Sequence, residues 1–198
     1  MERIGRIERR TKETKVNLVL NIDGEGKSMV KTGVPFLDHM LTLLARHGLF
    51  DLSVKVEGDL EVDIHHTNED VGLCLGDALV ETLLEKRGIR RFGFSYVPMD
   101  KALARVVVDI SGRGSLYFDS AVELPLPLEG DKYDWQSLKH LLDSFARRGG
   151  LTIHISIIKG EDFHHIVESI FKALGRALDE ATMVDERAKD IPSTKGTL

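Results

Sequence analysis

The chain reads as an α+β protein made from one sheet-plus-helices unit used twice, and three observations predict it. First, Ile64 to Glu81 (IHHTNEDVGLCLGDALVE) aligns with Phe163 to Glu180 (FHHIVESIFKALGRALDE) at an offset of 99, with 8 of 18 positions identical; chance would supply about one. Second, DHMLTLLARHG from Asp38 aligns with KHLLDSFARRG from Lys139 at an offset of 101, sharing His39/His140, Leu41/Leu142, Ala45/Ala146, Arg46/Arg147 and Gly48/Gly149. Third, the stretches between these blocks alternate apolar and polar residues, as a half-buried strand does.

Taken in order, Val16 to Ile22 reads as a strand and Gly24-Glu25-Gly26 as a turn. A helix carries Asp38 to Gly48, and Phe50, Leu52, Val54 and Val56 then mark a strand. The longer helix begins at the His65-His66 pair. After a joint near Arg87 to Gly93 the order recurs, with a strand at Ala104 to Ile110, a turn at Ser111 to Gly114 and a loop marked by Pro125 and Pro127. A helix from Lys139, a strand over Leu151, Ile153, Ile155 and Ile157, and a second HH helix complete it. A two-residue indel reconciles the two offsets. No low-complexity linker separates the halves, 1–91 and 92–198, so they are expected to pack as one pseudosymmetric body, each with helices on one face of a mainly antiparallel sheet.

The 198 residues are 42% hydrophobic and 30% charged, enough for a shared core, and no apolar run approaches the ~18 residues of a membrane span. A net charge of −5 gives no general attraction for nucleic acid or anionic lipid, so an anionic ligand requires a local cationic pocket. Cys74, the single cysteine, cannot form an internal disulfide, and the N-terminus MERIGRIERR lacks the apolar core of a secretory signal. The expectation is a cytoplasmic protein acting on a small molecule.

Six of the eight histidines (His39, His65, His66, His140, His164, His165) occupy repeat-matched positions, together with Glu69 and Glu168. On a helix His65 and Glu69 lie about 40° apart and can reach one ion, whereas His66 is turned by about 100° from its neighbour. An adjacent pair should therefore serve two different sites. Eight ligands divide naturally into two sets of three His and one Glu, a donor set suited to divalent Zn, Fe, Ni or Mn. A single histidine is ordinarily a surface or hydrogen-bonded residue; repetition favours ligation. His154 and His47, opposite Ser53 and Arg148 in the alignment, lack that support. Cys74, between Leu73 and Leu75, reads as packing.

FLDHM from Phe36, ARHG from Ala45, DIHHTNEDVG from Asp63 and DFHHIVESIFKALGRAL from Asp162 resemble the imidazoleglycerol-phosphate dehydratases. RTKETKV from Arg10, RRFG from Arg90, VPMDKAL from Val97, DISGR from Asp109 and PSTKG from Pro192 extend the resemblance over the whole chain, without an added phosphatase domain. It implies a duplicated fold, two Mn²⁺ ions per active site and a closed homo-oligomeric cage of about 24 subunits with active sites between them. The implied reaction is dehydration of imidazole-glycerol phosphate to imidazole-acetol phosphate in histidine biosynthesis. Its difficulty is a C–H proton with no neighbouring carbonyl. A metal-bound imidazolate would expel the adjacent hydroxyl, giving a diazafulvene-like intermediate, an enol and then the ketone.

Residue by residue, the resemblance implies metal ligation by His39, His65, His66, Glu69, His140, His164, His165 and Glu168. Glu13 matches a substrate-contacting carboxylate and is the first choice for proton transfer. His47 and Lys172 match substrate contacts, although a helix-end histidine set against the dipole and an exposed helix lysine are the plain alternatives. Lys172 stands opposite Leu73 in the repeat. Arg91, Arg113, Ser193 and Lys195 match a phosphate pocket; otherwise they are turn arginines and a frayed tail. The ligands alone would also serve a metal-storing assembly, or a di-iron carboxylate protein were there no sheet-forming segments. Phosphate-dependent substrate binding distinguishes the first of these.

Overall fold

The computed structural model describes residues 3–127 and 132–198. The first half runs β1 (Ile4–Arg10), β2 (Thr14–Asn21), β3 (Ser28–Lys31), α1 (Pro35–Gly48), β4 (Asp51–Gly58) and α2 (His65–Leu83). The second runs β5 (Phe92–Met99), β6 (Ala102–Asp109), β7 (Ser115–Ser120), α3 (Trp135–Gly149), β8 (Thr152–Lys159) and α4 (Phe163–Thr182). Each half forms its own four-stranded sheet, ordered β1-β2-β4-β3 and β5-β6-β8-β7. The sheets are antiparallel except at β3/β4 and β7/β8. Parallel neighbours need a crossover, and α1 and α3 supply it. The helix-strand-helix order and the α+β class expected from the repeat are what the structure has; the edge strands β1, β3, β5 and β7 were not separately evident.

Alternation decides which sheet face is covered. In β2, Val16, Leu18 and Leu20 are buried while Asn17 is exposed; in β8, Ile153, Ile155 and Ile157 are buried while His154 is exposed. The buried rows face the helices. The helix layers then pack on each other across the halves, α2 on α3 and α1 on α4, with α2 backed by β1 and β2 and α4 by β5 and β6. Among the described residues a single buried apolar cluster runs through both helix layers, so one core joins both halves.

Local sequence fixes the helix ends that carry the chemistry. Asp134 caps α3 by accepting from the backbone N–H of Ser137 at 2.8 Å, and Asp162 caps α4 by accepting from that of His165 at 2.8 Å. Pro35 opens α1, where its missing N–H costs nothing. Close helix approach is bought by small residues: a Cβ at Gly76 would meet the Gly149 backbone N at 2.7 Å, and one at the repeat-related Gly175 would meet the Leu44 carbonyl at 2.6 Å. No helix of the described residues is long and apolar enough to cross a membrane.

Candidate metal centre and active site

The helix pairs bring ligands together in two groups, His39 with His164 and Glu168, and His65 with Glu69 and His140. In each group one ligating atom per residue lies within 4.8 Å of the others. The groups are repeat-related, since His39 matches His140, His65 matches His164 and Glu69 matches Glu168. Each therefore draws one histidine from one half and a His/Glu pair from the other. The i, i+4 spacing sets the pair on one helix face, and the cross-half helix contact adds the third ligand. Asn68 clips α2 to α3 beside the second group, donating to the Ser137 carbonyl at 2.6 Å and accepting from the buried Tyr133 hydroxyl at 3.0 Å.

In the first group Glu168 Oε1 is 3.0 Å from His39 Nε2 and 3.1 Å from His164 Nε2, and Glu168 Oε2 is 2.7 Å from Lys172 Nζ. Burial by itself would raise the carboxyl's pKa, but the Lys172 hydrogen bond, followed by that from His39, brings it to about 2. Glu168 is thus an anion at working pH. Lys172 is half-buried and held to the carboxylate and to Met99 Sδ, not solvent-facing. Opposite it in the repeat is Leu73, so among the described residues Glu69 has no lysine one helical turn on. In the second group the rings of His65 and His140 stack with centroids 4.2 Å apart, and the buried His140 Nδ1 has no hydrogen-bond partner among the described residues. Converging imidazole nitrogens, an ionised carboxylate and an orphaned buried nitrogen fit a divalent transition ion. A cleft of about 760 Å³ opens beside this group, with Phe118 and Trp135 as apolar wall and Lys139 and Asp143 as polar lining.

His66 and His165 stand apart from both groups, because each is turned about 100° from the preceding ligand. A single chain thus assembles two sets of two His and one Glu. Glu13 sits at the β1–β2 hairpin, where the Thr11 hydroxyl accepts from the backbone N–H of Glu13 at 3.1 Å and of Thr14 at 2.9 Å. The hairpin is anchored by Asp70, which accepts from Thr14 Oγ1 and from Arg9 Nε, the latter at 2.7 Å. Glu13 is exposed, with Oε1 3.8 Å from His66 Nε2. His47 ends α1 as expected, but the dipole does not dominate: burial, then the charges of Lys172, Arg176 and Arg46, lowers its pKa.

Arg91 has a left-handed backbone (φ 73°), and each of its three guanidinium nitrogens donates one hydrogen bond. Its Nε and Nη2 donate to Asp109 at 2.7 and 3.2 Å, and Nη1 donates to the Pro192 carbonyl at 2.9 Å. The tail is therefore tied down at its start, and a Cβ at Gly112 would strike Leu198. The chain from Pro192 at Arg91 to Leu198 at Gly112 thus runs past the end of β6, with Arg113 exposed next to Gly112. Sequence reasoning missed Asp59, Asp70 and Asp109, the carboxylates that hold His66, the hairpin and Arg91. None is repeat-matched to a carboxylate, so the repeat carried no signal for them.

The model of the imidazoleglycerol-phosphate dehydratase family matches residues 32–178. The chain is 52% identical over 195 residues to imidazoleglycerol-phosphate dehydratase of Thermoanaerobacter sp. strain X514, covering 97% of each chain. It is 50% identical over 198 residues to that of Pelobacter propionicus, covering 100% of each. The chain belongs to the imidazoleglycerol-phosphate dehydratase family. Among solved structures, imidazoleglycerol-phosphate dehydratase of Pyrococcus furiosus superposes with a TM-score of 0.82 at 40% identity, covering 97% of this chain and 100% of that one. The Staphylococcus aureus dehydratase gives 0.80 at 37% identity, over 92% and 99%. As a member of this dehydratase family the protein is an enzyme, a hydro-lyase, and the described architecture of two sheet-plus-helix halves is the one it shares with these structures.

Proposed function

We propose that the chain dehydrates imidazole-glycerol phosphate to imidazole-acetol phosphate in histidine biosynthesis, as a cytoplasmic Mn²⁺ enzyme with two ions per active site. The observation that carries this reading is the pair of repeat-related His/His/Glu groups in a chain of the dehydratase family. Each group has three protein ligands, and His66 and His165, half-buried on other helix faces, would supply the fourth to groups of neighbouring subunits in a cage of about 24 chains. The division into halves 1–91 and 92–198 belongs to the same reading, because every group spans it.

A divalent ion held by these His/Glu groups would lower the pKa of the substrate's imidazole and so supply an electron-donating ring at neutral pH. The residues of the chain do the rest. Arg91, Arg113, Ser193 and Lys195 hold the phosphate, and the Asp109 and Pro192 contacts leave Arg91 two N–H groups to donate. His47 and Lys172 line the substrate near Glu168. Glu13, exposed at its hairpin, exchanges the proton between the reacting carbon or the departing hydroxyl and water. One C–O and one C–H bond break, a C=C bond forms, and the enol becomes the ketone by proton transfer.

Metal-stripped protein incubated with imidazole-glycerol phosphate, with and without Mn²⁺, tests the reading by the appearance of ketone. Ketone formed only with the ion is the expected result. Stoichiometric Mn²⁺ retention without turnover would instead identify a metal-storing assembly.

A further inference from the structure

We propose that Asp59 is a positioning residue that fixes the ring of His66 for metal coordination through a hydrogen bond that His165 lacks, so that the chain holds its two ions unequally. The inference rests on the assignment of His66 as a ligand given above. Asp59 follows the last residue of β4 and is locked at both backbone atoms: its N–H donates to the Glu13 carbonyl at 3.1 Å, and its carbonyl accepts from the Val62 N–H at 2.8 Å. Its side chain points at one group. Oδ2 is 3.0 Å from His66 Nδ1, while the buried Oδ1 has no partner among the described residues.

An ionised carboxylate can only accept, so in the neutral ring, the form that binds a metal, this contact places the proton on Nδ1 and leaves the Nε2 lone pair free. Nε2 lies 3.8 Å from Glu13 Oε1, beyond hydrogen-bond reach, and the side chain keeps 32% of its surface exposed, so an ion held by another subunit can approach it. The repeat supplies the comparison within the same molecule. His165 Nδ1 is 3.7 Å from Asp162 and Nε2 is 3.8 Å from Asp100, and neither contact is a hydrogen bond. Gly160 occupies the register position of Asp59, in a loop two residues shorter. The His165 ring therefore has no fixed tautomer, and ordering it must be done by the ion. A carboxylate behind a ligating histidine raises its basicity and holds its ring, and removing such a partner costs roughly 10- to 100-fold in metal affinity.

The test is a titration of Mn²⁺ into metal-stripped full-length protein, with free ion read by electron paramagnetic resonance. The parent should take up two equivalents in two steps; two indistinguishable steps overturn the proposal whatever the variants do. Asp59→Ala should weaken one step by 10- to 100-fold and leave the other, and Asp59→Asn, whose amide oxygen still accepts from Nδ1, should recover most of that loss. Both steps at parental affinity in Asp59→Ala, or both weakened alike, refute it. His66→Ala separates the two levels: loss of one equivalent sustains the ligand assignment, and retention of both removes it and the role of Asp59 with it.

Discussion

Replacing Gly72 by Ala tests whether the metal group at α2/α3 depends on how closely two backbones approach. Gly72 lies three residues beyond Glu69, and a Cβ there would sit 2.6 Å from the carbonyl oxygen of Leu141, the residue after His140, and 3.0 Å from Ser144 Cβ. A carbon and a carbonyl oxygen rest about 3.3 Å apart, so the helices must separate by about 0.7 Å. Ala is worth about 1 kcal/mol over Gly in a helix interior, while overpacking costs about 1 to 3 kcal/mol. The net loss is up to about 2 kcal/mol, or roughly 2 to 4 °C in Tm per kcal/mol for a chain of this size. Metal sites tolerate about 0.2 Å in ligand distance, so the larger effect should be on ion affinity at His65, Glu69 and His140, with the α1/α4 group unchanged. Calorimetry of the metal-stripped variant at matched concentration, followed by Mn²⁺ titration, reads both quantities. A Tm raised by helix propensity, with both affinities parental, would show that the contact yields freely and that the spacing argument is wrong.

His65→Ala and His164→Ala should each lower bound metal and abolish turnover, while His154→Ala, on an exposed strand face against Tyr117, does neither by elemental analysis and ketone assay. Arg113→Ala should lower kcat/KM by roughly ten- to a hundredfold through weaker substrate binding, with metal content intact. Glu13→Gln should depress kcat with little change in substrate affinity, and parental turnover would remove its proton-transfer role. Burial pushes the Cys74 thiol up to about 12, so alkylating reagents at pH 8 should label it only as the protein unfolds.

What the sequence made legible follows from which contacts repeat. Duplicated histidines and glutamates pointed to the six residues that the two groups bring together, and period-2 alternation at Phe50–Val56 and Leu151–Ile157 marked the central strands, because burial on one face enforces it. The grouping was not legible: that His39 meets His164 and Glu168 depends on α1 packing against α4, a contact between residues 129 apart that no local period encodes. Short edge strands such as β3 (SMVK) bury too little to alternate visibly. Lys172 could be singled out as a break in symmetry, but only the structure turns it from an exposed lysine into the partner of Glu168. Arg91 could be matched by motif, whereas its left-handed backbone and its tether to Pro192 could not.

Because each ligand group borrows from both halves, a solitary half carries only fragments of a site: a His/Glu pair on one helix and a stray imidazole on another. Two identical halves meeting face to face would complete two identical groups at a stroke. Fusion of the halves is therefore not what such a group requires; a pairing of two half-length chains would meet the same geometric demand. In the fused chain the same arithmetic would make any ion bound at either group a reporter of the junction between halves, since parting the helix layers takes both groups apart.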